Sequence, residues 1–390
     1  MFTIEFHEIP LEPFRELPGE IRTEAFFRAH EFTAAYVALQ SARVVRAMGA
    51  PALDPPEASL AVEKLGVAPD RSGAWDWIAR MVRDSVKVGR YEGLEDDLRA
   101  GEAPGRPAGP SALRESIVLE DGALAPALEL IEAAAAGYPG FLRGERDGGS
   151  ILFDAAAPAL WDRYFDNANP IYAPGNTLAA QAAALALEAR GRTSGVRALE
   201  VGSGCGSAAE ALLRRAGAVV GRYVLTDISP NFLRKARERA SAAAPAGGPR
   251  LEYRLVDLNR PAGTWSVERG AYDLVYAVNV LHSVRDLPAA LEGIRGLIAP
   301  GGLLVLGECV RPTRGKPVHP EFVFQLLDEF RSPLLDPESR PEPGFLDAAS
   351  WRASLERAGF GGVRFVPEFE PAVAAYPEHS IAAITAEPRP

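Results

Sequence analysis

Apolar residues return every three or four places along the first 160 positions, and after about residue 178 they gather into short runs instead. The first pattern predicts helices. One covers 24–48, with Phe26, Phe27, Phe32, Tyr36, Leu39, Val44 and Val45 at those steps. A second runs over about 74–86, around Trp75, Trp77, Ile78 and Met81, and a third over about 124–136. Ahead of the third, 100–110 (AGEAPGRPAGP) reads as an exposed loop, because Gly and Pro break either periodicity. The second pattern gives apolar runs at 196–201, 223–226, 251–256, 274–278 and 303–306, separated by helical stretches at 208–216, 230–243 and 287–298. Such alternation predicts βαβ units and a mostly parallel sheet covered on both faces. A Pro-rich stretch at 311–345 holds one predicted helix, 321–330. A helix at 348–358 and strands near 363–366 and 381–385 close the chain.

Length adds that 390 residues exceed one ordinary domain, so two domains, or one with large attachments, are expected. The net charge of −10, from 52 acidic and 42 basic side chains with no dense Lys/Arg stripe, repels phosphate backbones and argues against a nucleic-acid partner. The two cysteines, Cys205 and Cys309, have no metal or disulfide spacing and read as reduced. The N-terminal residues lack the basic and apolar regions of a secretory signal, and no apolar run reaches the roughly 18 residues of a membrane span. The expectation is a cytoplasmic protein acting on a small molecule, with no membrane and no metal.

The most informative stretch is ALEVGSGCGSAAEALL (198–213). A strand ends at Glu200–Val201, Gly202, Gly204 and Gly206 follow, and a helix begins near Ser207. Glycines let the backbone turn tightly and approach a ligand where a Cβ would clash. Alone, such a loop serves NAD or FAD equally well. Its mid-chain position, the acid before the first glycine and the absence of a G-x-G-x-x-G register point instead to S-adenosylmethionine (SAM). Asp227, followed by Ile228, closes the second strand, where its carboxylate can accept from both ribose hydroxyls, although Asp227 or Ser229 could also cap the helix beginning at Pro230. Asp257 ends the third strand and would accept from the adenine amino group, with the Leu258 backbone at a ring nitrogen. Asn279, after the fourth strand, could reach the methionine end. The predicted fold is an α/β, Rossmann-like, seven-stranded class I methyltransferase core with an N-terminal helical lid. The lid is expected over 1–155 and the SAM-binding domain over 156–390, with a lid insertion at about 312–346.

Residues 198–310 also resemble the carbon-methyltransferase domains of polyketide synthases, through LEVGSGCG, TDISPNFLRKA, YDLVYAVNVLHSVRDLPAALEGIRGLIAPGG and LLVLGE. Upstream, GFLRGERDGGSILFD (140–154) and WDRYFDNANPIY (161–172) are similar to the segments that join lid and core in those domains. The resemblance implies a His–Glu dyad that deprotonates the carbon between a ketone and a thioester. His282, in NVLH, and Glu308, in VLGE, hold those two motif positions. Both follow strands and so belong to the carboxyl edge of the sheet, where ligands bind in such folds. The resemblance further implies an active-site tyrosine upstream of the glycine loop. Tyr172 is the better placed candidate and Tyr164 is expected further from the core. A tyrosine ring against a sulfonium is worth about 0.5–2 kcal/mol. His7, His30, His319 and His379 fall outside any motif and read as surface or core residues.

Two departures from that family bear on the acceptor. The chain carries no carrier-protein domain, so a thioester would be delivered by another protein. The segment EFVFQLLDEFRSPLL (321–335) has Gln325, Asp328, Glu329 and Arg331 where a Gly/Trp-rich phrase is usual. These residues either make the acceptor smaller, more polar or carrier-free, or form the solvated face of a helix that buries Phe322, Phe324, Leu326 and Leu327. The functions consistent with the sequence are carbon methylation, oxygen or nitrogen methylation, cyclisation of SAM on its own aminobutyryl chain with release of methylthioadenosine, and SAM binding without catalysis.

Overall fold

The apolar runs of the second half pair edge to edge into one sheet of seven strands: β1 (Val196–Val201), β2 (Val220–Asp227), β3 (Arg250–Leu255), β4 (Tyr272–Val278), β5 (Ile298–Cys309), β6 (Phe360–Val366) and β7 (Ile381–Pro388). The computed structural model describes residues 3–4, 9–51, 54–88, 91–92, 110–153 and 157–389. The loop expected over 100–110 lies outside them except for Pro110, which begins a helix, and so does His7.

The strand order is β3-β2-β1-β4-β5-β7-β6. β1 to β5 run parallel, and β7 lies antiparallel between β5 and β6. The carboxyl ends of five strands therefore meet at one edge, and antiparallel β7 begins at that same edge. Neighbouring residues of a strand face opposite sides of the sheet. Ala198, Leu274 and Leu303 join one buried layer, while Leu199, Val275 and Leu304 join the other. Each fully buried leucine contributes about 1.5–3 kcal/mol, and this two-sided burial explains why the strands read as continuous apolar runs. Within the last third, a helix at Phe369–Ala375 had no counterpart in the sequence reading.

The N-terminal helices build a separate hydrophobic cluster. The helix Glu24–Ala47, capped where Thr23 Oγ accepts from Phe26 N (3.3 Å), spans two environments. Phe26 and Phe27 join the sheet's layer, and Phe32 to Val45 pack against the helices Ser72–Val88 and Ala125–Leu142. The same cluster takes in Trp161, Tyr164 and Ile171, and also Phe322, Val323 and Leu326 from the insertion.

The helix expected over 321–330 is instead two short turns, Glu321–Phe324 and Asp328–Arg331, separated by Leu327 in extended conformation (φ −88°, ψ 132°). The cause is a conflict of destinations. Phe322, Val323 and Leu326 belong to the N-terminal cluster, whereas Phe330 packs with Cys309, Val318 and Phe345 near the sheet edge. One straight helix cannot serve both. No helix among the described residues is long and apolar enough to cross a membrane.

Candidate active site

After β1 the chain turns through Gly202 (φ 68°), Gly204 (φ 50°) and Gly206 (φ 83°), a left-handed path that L side chains resist. At Gly202 the demand is also spatial, since a Cβ would lie 2.5 Å from Val280 Cγ2. Asp227, at the end of β2, holds this loop: Oδ2 accepts from Gly204 N (2.9 Å) and Oδ1 from Ser229 N (2.8 Å). Burial raises its pKa, opposed by the N–H groups of Ser229, Gly204 and Ile228. Ser229, not Asp227, caps the helix Pro230–Ala243, accepting from Phe232 N at 3.4 Å. Asp257 Oδ1 accepts from Asn259 N (2.9 Å). Ile228, 63% exposed, and Leu258 add apolar surface beside the two carboxylates in one cavity wall. Asn279 has φ 54° and donates its N–H to Gly307 O (2.7 Å).

Two residues expected at the cofactor lie off that wall. Glu200 is buried beneath the loop, where Tyr223 Oη donates to Oε2. Burial lifts its carboxyl to about 8, with the Tyr223 hydrogen bond pulling the other way and the Asp227 charge adding to the rise. Gly206 opens the helix Ser207–Ala216, and a Cβ there would meet Ala236 Cα at 2.7 Å, so this glycine serves helix packing.

His282 sits on a single turn, Leu281–Ser283, after β4, and Glu308 is the penultimate residue of β5. Strand pairing brings them together: His282 Nδ1 lies 2.7 Å from Glu308 Oε2, and both residues are buried. Glu308 Oε1 accepts from Leu281 N (3.0 Å) and Val280 N (3.3 Å), so the carboxylate holds both the ring and the turn that carries it. The Phe345 and Phe330 rings meet the imidazole edge-on at 4.7 and 5.9 Å. With Nδ1 committed to Glu308, Nε2 is the nitrogen left for another partner. Arg340, 1% exposed, donates to the carbonyls of Val284 (2.7 Å) and His282.

Asp227, Asp257, Asn279, His282 and Glu308 line one cavity of about 410 Å³ at the carboxyl edge of the sheet. Leu258, Gly202, Gly204, Cys309, Ser380 and His30 line it too. Much of the remaining lining is aromatic: Phe153, Trp161, Phe165, Phe324, Phe330 and Phe345, together with Tyr172. Tyr172 packs against Phe165 (5.1 Å) and Tyr164 (6.0 Å), and burial pushes its hydroxyl pKa up, as do the neighbouring Cys205, Tyr164 and Glu200. Tyr164, expected further from the core, lines the same cavity, packed in the N-terminal cluster against Trp161, Phe165 and Tyr172. His30, read from sequence as surface or core, is a cavity residue too.

The polar residues of 321–335 divide. Asp328 pairs with Arg331 and Arg71 away from the cavity, Gln325 is buried, and Glu329 reaches the cavity wall. The aromatic members lie up to 192 positions apart (Phe345 against Phe153). Phe153, Trp161, Phe165 and Tyr172 fall in the two upstream segments that resemble the family, whereas only apolar character marked Phe324, Phe330 and Phe345 in the sequence. Among the described residues, no group of three or more His, Cys, Asp or Glu is placed to hold a metal ion.

Residues 199–304 match a protein family described as a methyltransferase domain. The chain is 35% identical over 172 residues to the highly reducing polyketide synthase easB of Emericella nidulans, an alignment covering 43% of this chain and 6% of that protein. It is 29% identical over 312 residues to the polyketide synthase ThaG of Burkholderia thailandensis, covering 77% of this chain and 5% of that one. The chain thus spans about a twentieth of these relatives. The crystal structure of the CurJ carbon methyltransferase superposes with a TM-score of 0.71 at 24% identity, covering 97% of this chain and 96% of that chain, which establishes a shared fold.

Proposed function

On a chain that carries a methyltransferase domain in the fold of a carbon methyltransferase, we propose transfer of a methyl group from SAM to an acidic carbon, such as that between a ketone and a thioester in secondary-metabolite assembly. The observation that carries this reading is the His282–Glu308 contact of 2.7 Å in the wall of a cavity that continues beyond the glycine loop.

The loop end suits SAM in its chemistry. Asp227 and Asp257 offer carboxylates for ribose hydroxyls and the adenine amino group, Ile228 and Leu258 offer apolar faces for the ring, and Asn279 serves the methionine end. Bound SAM supplies an electrophilic methyl group on a good leaving group. His282 removes the proton from the acceptor carbon at Nε2. Glu308 fixes the tautomer with Nδ1–H toward itself and offsets the charge that the imidazole gains. Positioned base catalysis of this kind is worth roughly 10²–10⁴ in rate, and alignment of carbon, methyl and sulfur supplies the rest. Tyr172 is among the residues that line the cavity. In this reading the N-terminal helices and the insertion at 312–346 form the lid, and the acceptor arrives as a small molecule or as a thioester on a carrier protein.

The aromatic rings around the dyad, with Phe330 and Phe345 against His282 and Phe324 packed on both, support an acceptor over intramolecular attack within SAM, which needs no such wall. The test is a chromatographic product assay with SAM alone and then with 3-oxoacyl thioesters. S-adenosylhomocysteine formed only with the thioester, and a mass gain of one methyl on its α-carbon, is the expected result. Methylthioadenosine released from SAM alone would overturn the proposal.

A further inference from the structure

We propose that Arg239 is a positioning residue for methyl transfer, fixing the strap 161–172 against the helix that follows the glycine loop; this rests on the reading that SAM binds at that loop. The strap supplies Trp161, Tyr164, Phe165 and Tyr172 to the cavity lining. Its apolar side belongs to the N-terminal cluster through Trp161, Tyr164 and Ile171. Its polar side meets the helices of the sheet domain, and Arg239 stands at that junction.

Arg239 lies on the helix Pro230–Ala243, which begins just after Asp227 and Ser229. Its Nη2 donates to Asp166 Oδ2 on the strap (2.9 Å), and its Nη1 donates to Ser207 Oγ (3.0 Å) and Glu210 Oε2 (3.4 Å). Ser207 is the first residue of the helix after Gly206, is 2% exposed, and donates its hydroxyl to the Phe165 carbonyl. Asn167 makes the neighbouring contact. Its Nδ2 donates to Ser207 O (2.9 Å) and Glu210 Oε2 (3.0 Å), and its Oδ1 accepts from buried Asn176 (2.8 Å). A second rung lies one helical turn away, where Lys235 pairs with Asp162. Asp166, Asn167, Ser207, Glu210 and Arg239 are not among the residues that line the cavity, so they act on a ligand only through others.

One guanidinium therefore joins three pieces: the strap, the helix after the glycine loop and the helix after Asp227. A planar fork of donors holds two acceptors in fixed directions, which a lysine ammonium does not. The Arg239 and Asp166 side chains are 22% and 42% exposed, so their pair adds little to stability. Its consequence is geometric. It sets where the strap's rings stand relative to Gly202 and Gly204, and preorganisation of that kind spares a ligand the cost of imposing the geometry itself.

The test uses the full chain labelled with 5-fluorotryptophan, in which Trp161 is one of five tryptophans and its fluorine resonance is assigned with Trp161→Phe. Calorimetry measures SAM affinity alongside. Arg239→Gln should bind SAM roughly tenfold more weakly. It should also broaden or split the Trp161 resonance of the unliganded protein and leave the other resonances in place. Arg239→Lys, which keeps the charge and loses the fork, should recover only part of the affinity. Asp166→Asn should repeat both effects in smaller measure, and it decides the matter if Arg239→Gln does not fold. Parent-like affinity with an unchanged Trp161 resonance overturns the inference and leaves the proposed function standing. Changes in every resonance with a lowered melting temperature would assign Arg239 to stability alone and overturn it as well. A parent protein that does not bind SAM overturns both readings, whereas SAM binding without methylation removes only the proposed function.

Discussion

The guanidinium of Arg340 donates to the backbone carbonyl of His282, so the turn bearing the imidazole hangs from a buried cation. Its second hydrogen bond goes to the carbonyl of Val284, burial lowers its pKa to about 10, and the opposing charge that raises it is that of Glu308. Arg340 is thus a positioning residue. Arg340→Met should lower kcat about tenfold or more while leaving SAM affinity intact, since one lost charged hydrogen bond is worth about 1.5–3 kcal/mol. Steady-state kinetics beside calorimetric SAM binding will separate this from a fold defect, which would weaken both.

The dyad makes a graded prediction. His282→Gln should cost about 10²–10⁴ in kcat, the usual worth of a positioned base. Glu308→Gln keeps an oxygen for Leu281 N and Val280 N but removes the carboxylate at Nδ1, so its loss should be smaller. Both should bind SAM as the parent does. Full activity in His282→Gln would remove the imidazole from the mechanism.

Glu321 ties three parts of the chain together. It is fully buried and accepts from Trp77 Nε1 (2.7 Å) on an N-terminal helix, from Arg311 just after β5 (2.5 Å) and from Val318 N (3.2 Å). Glu321→Ala would leave Arg311 with Glu342 (2.7 Å) as its ionic partner, so the loss should fall below the roughly 3–5 kcal/mol of a buried charge left unpaired. Denaturant unfolding should show that loss, and Trp77→Phe a smaller one.

Stability should pass through a maximum with pH. His30 and His379 are held by burial at about 4 and about 3, and His319 below the ordinary range. A lowered histidine pKa gives stability that is complete above the unfolded value of about 6.5 and is lost as pH falls toward the folded one. Glu200, raised to about 8, acts in the opposite sense. Its contribution is complete below the unfolded carboxylate value of about 4.3 and is lost as pH rises toward 8. Three histidines outweigh one carboxyl on the acid side, so the melting temperature should peak near pH 6.5. His379→Phe should flatten the acid limb, and Glu200→Gln the alkaline one.

The sheet was legible because its central strands, β1, β4 and β5, are buried on both faces and read as apolar runs, while the edge strands β3 and β6 are partly exposed. Strand β1 and the helix Pro230–Ala243 begin and end where the apolar pattern does. The glycine loop, Asp227, Asp257, His282 and Glu308 were legible because each sits beside a strand end, where motif and position coincide. The aromatic wall was not, since Phe153, Trp161 and Phe345 meet only through tertiary packing. The place of Tyr164 in the lining was not legible either, since it is set by packing within the N-terminal cluster. At 321–330 local propensity favoured one helix, and two competing cores broke it.

The insertion packs as though it belonged to the first half of the chain. Phe322, Val323 and Leu326 lie within the N-terminal cluster, Tyr138 Oη donates to Phe322 O at 2.5 Å, and Gly148 comes so close to Leu326 O that a Cβ would stand 1.8 Å from it. Two stretches separated by more than 150 positions, 148 and 326 among them, are therefore one packing unit. A chimera that exchanges residues 24–152 with a relative while keeping the native 318–346 would join surfaces whose shapes were not matched to each other. Transplanting the two stretches together is the cut that follows the physical seam of the molecule.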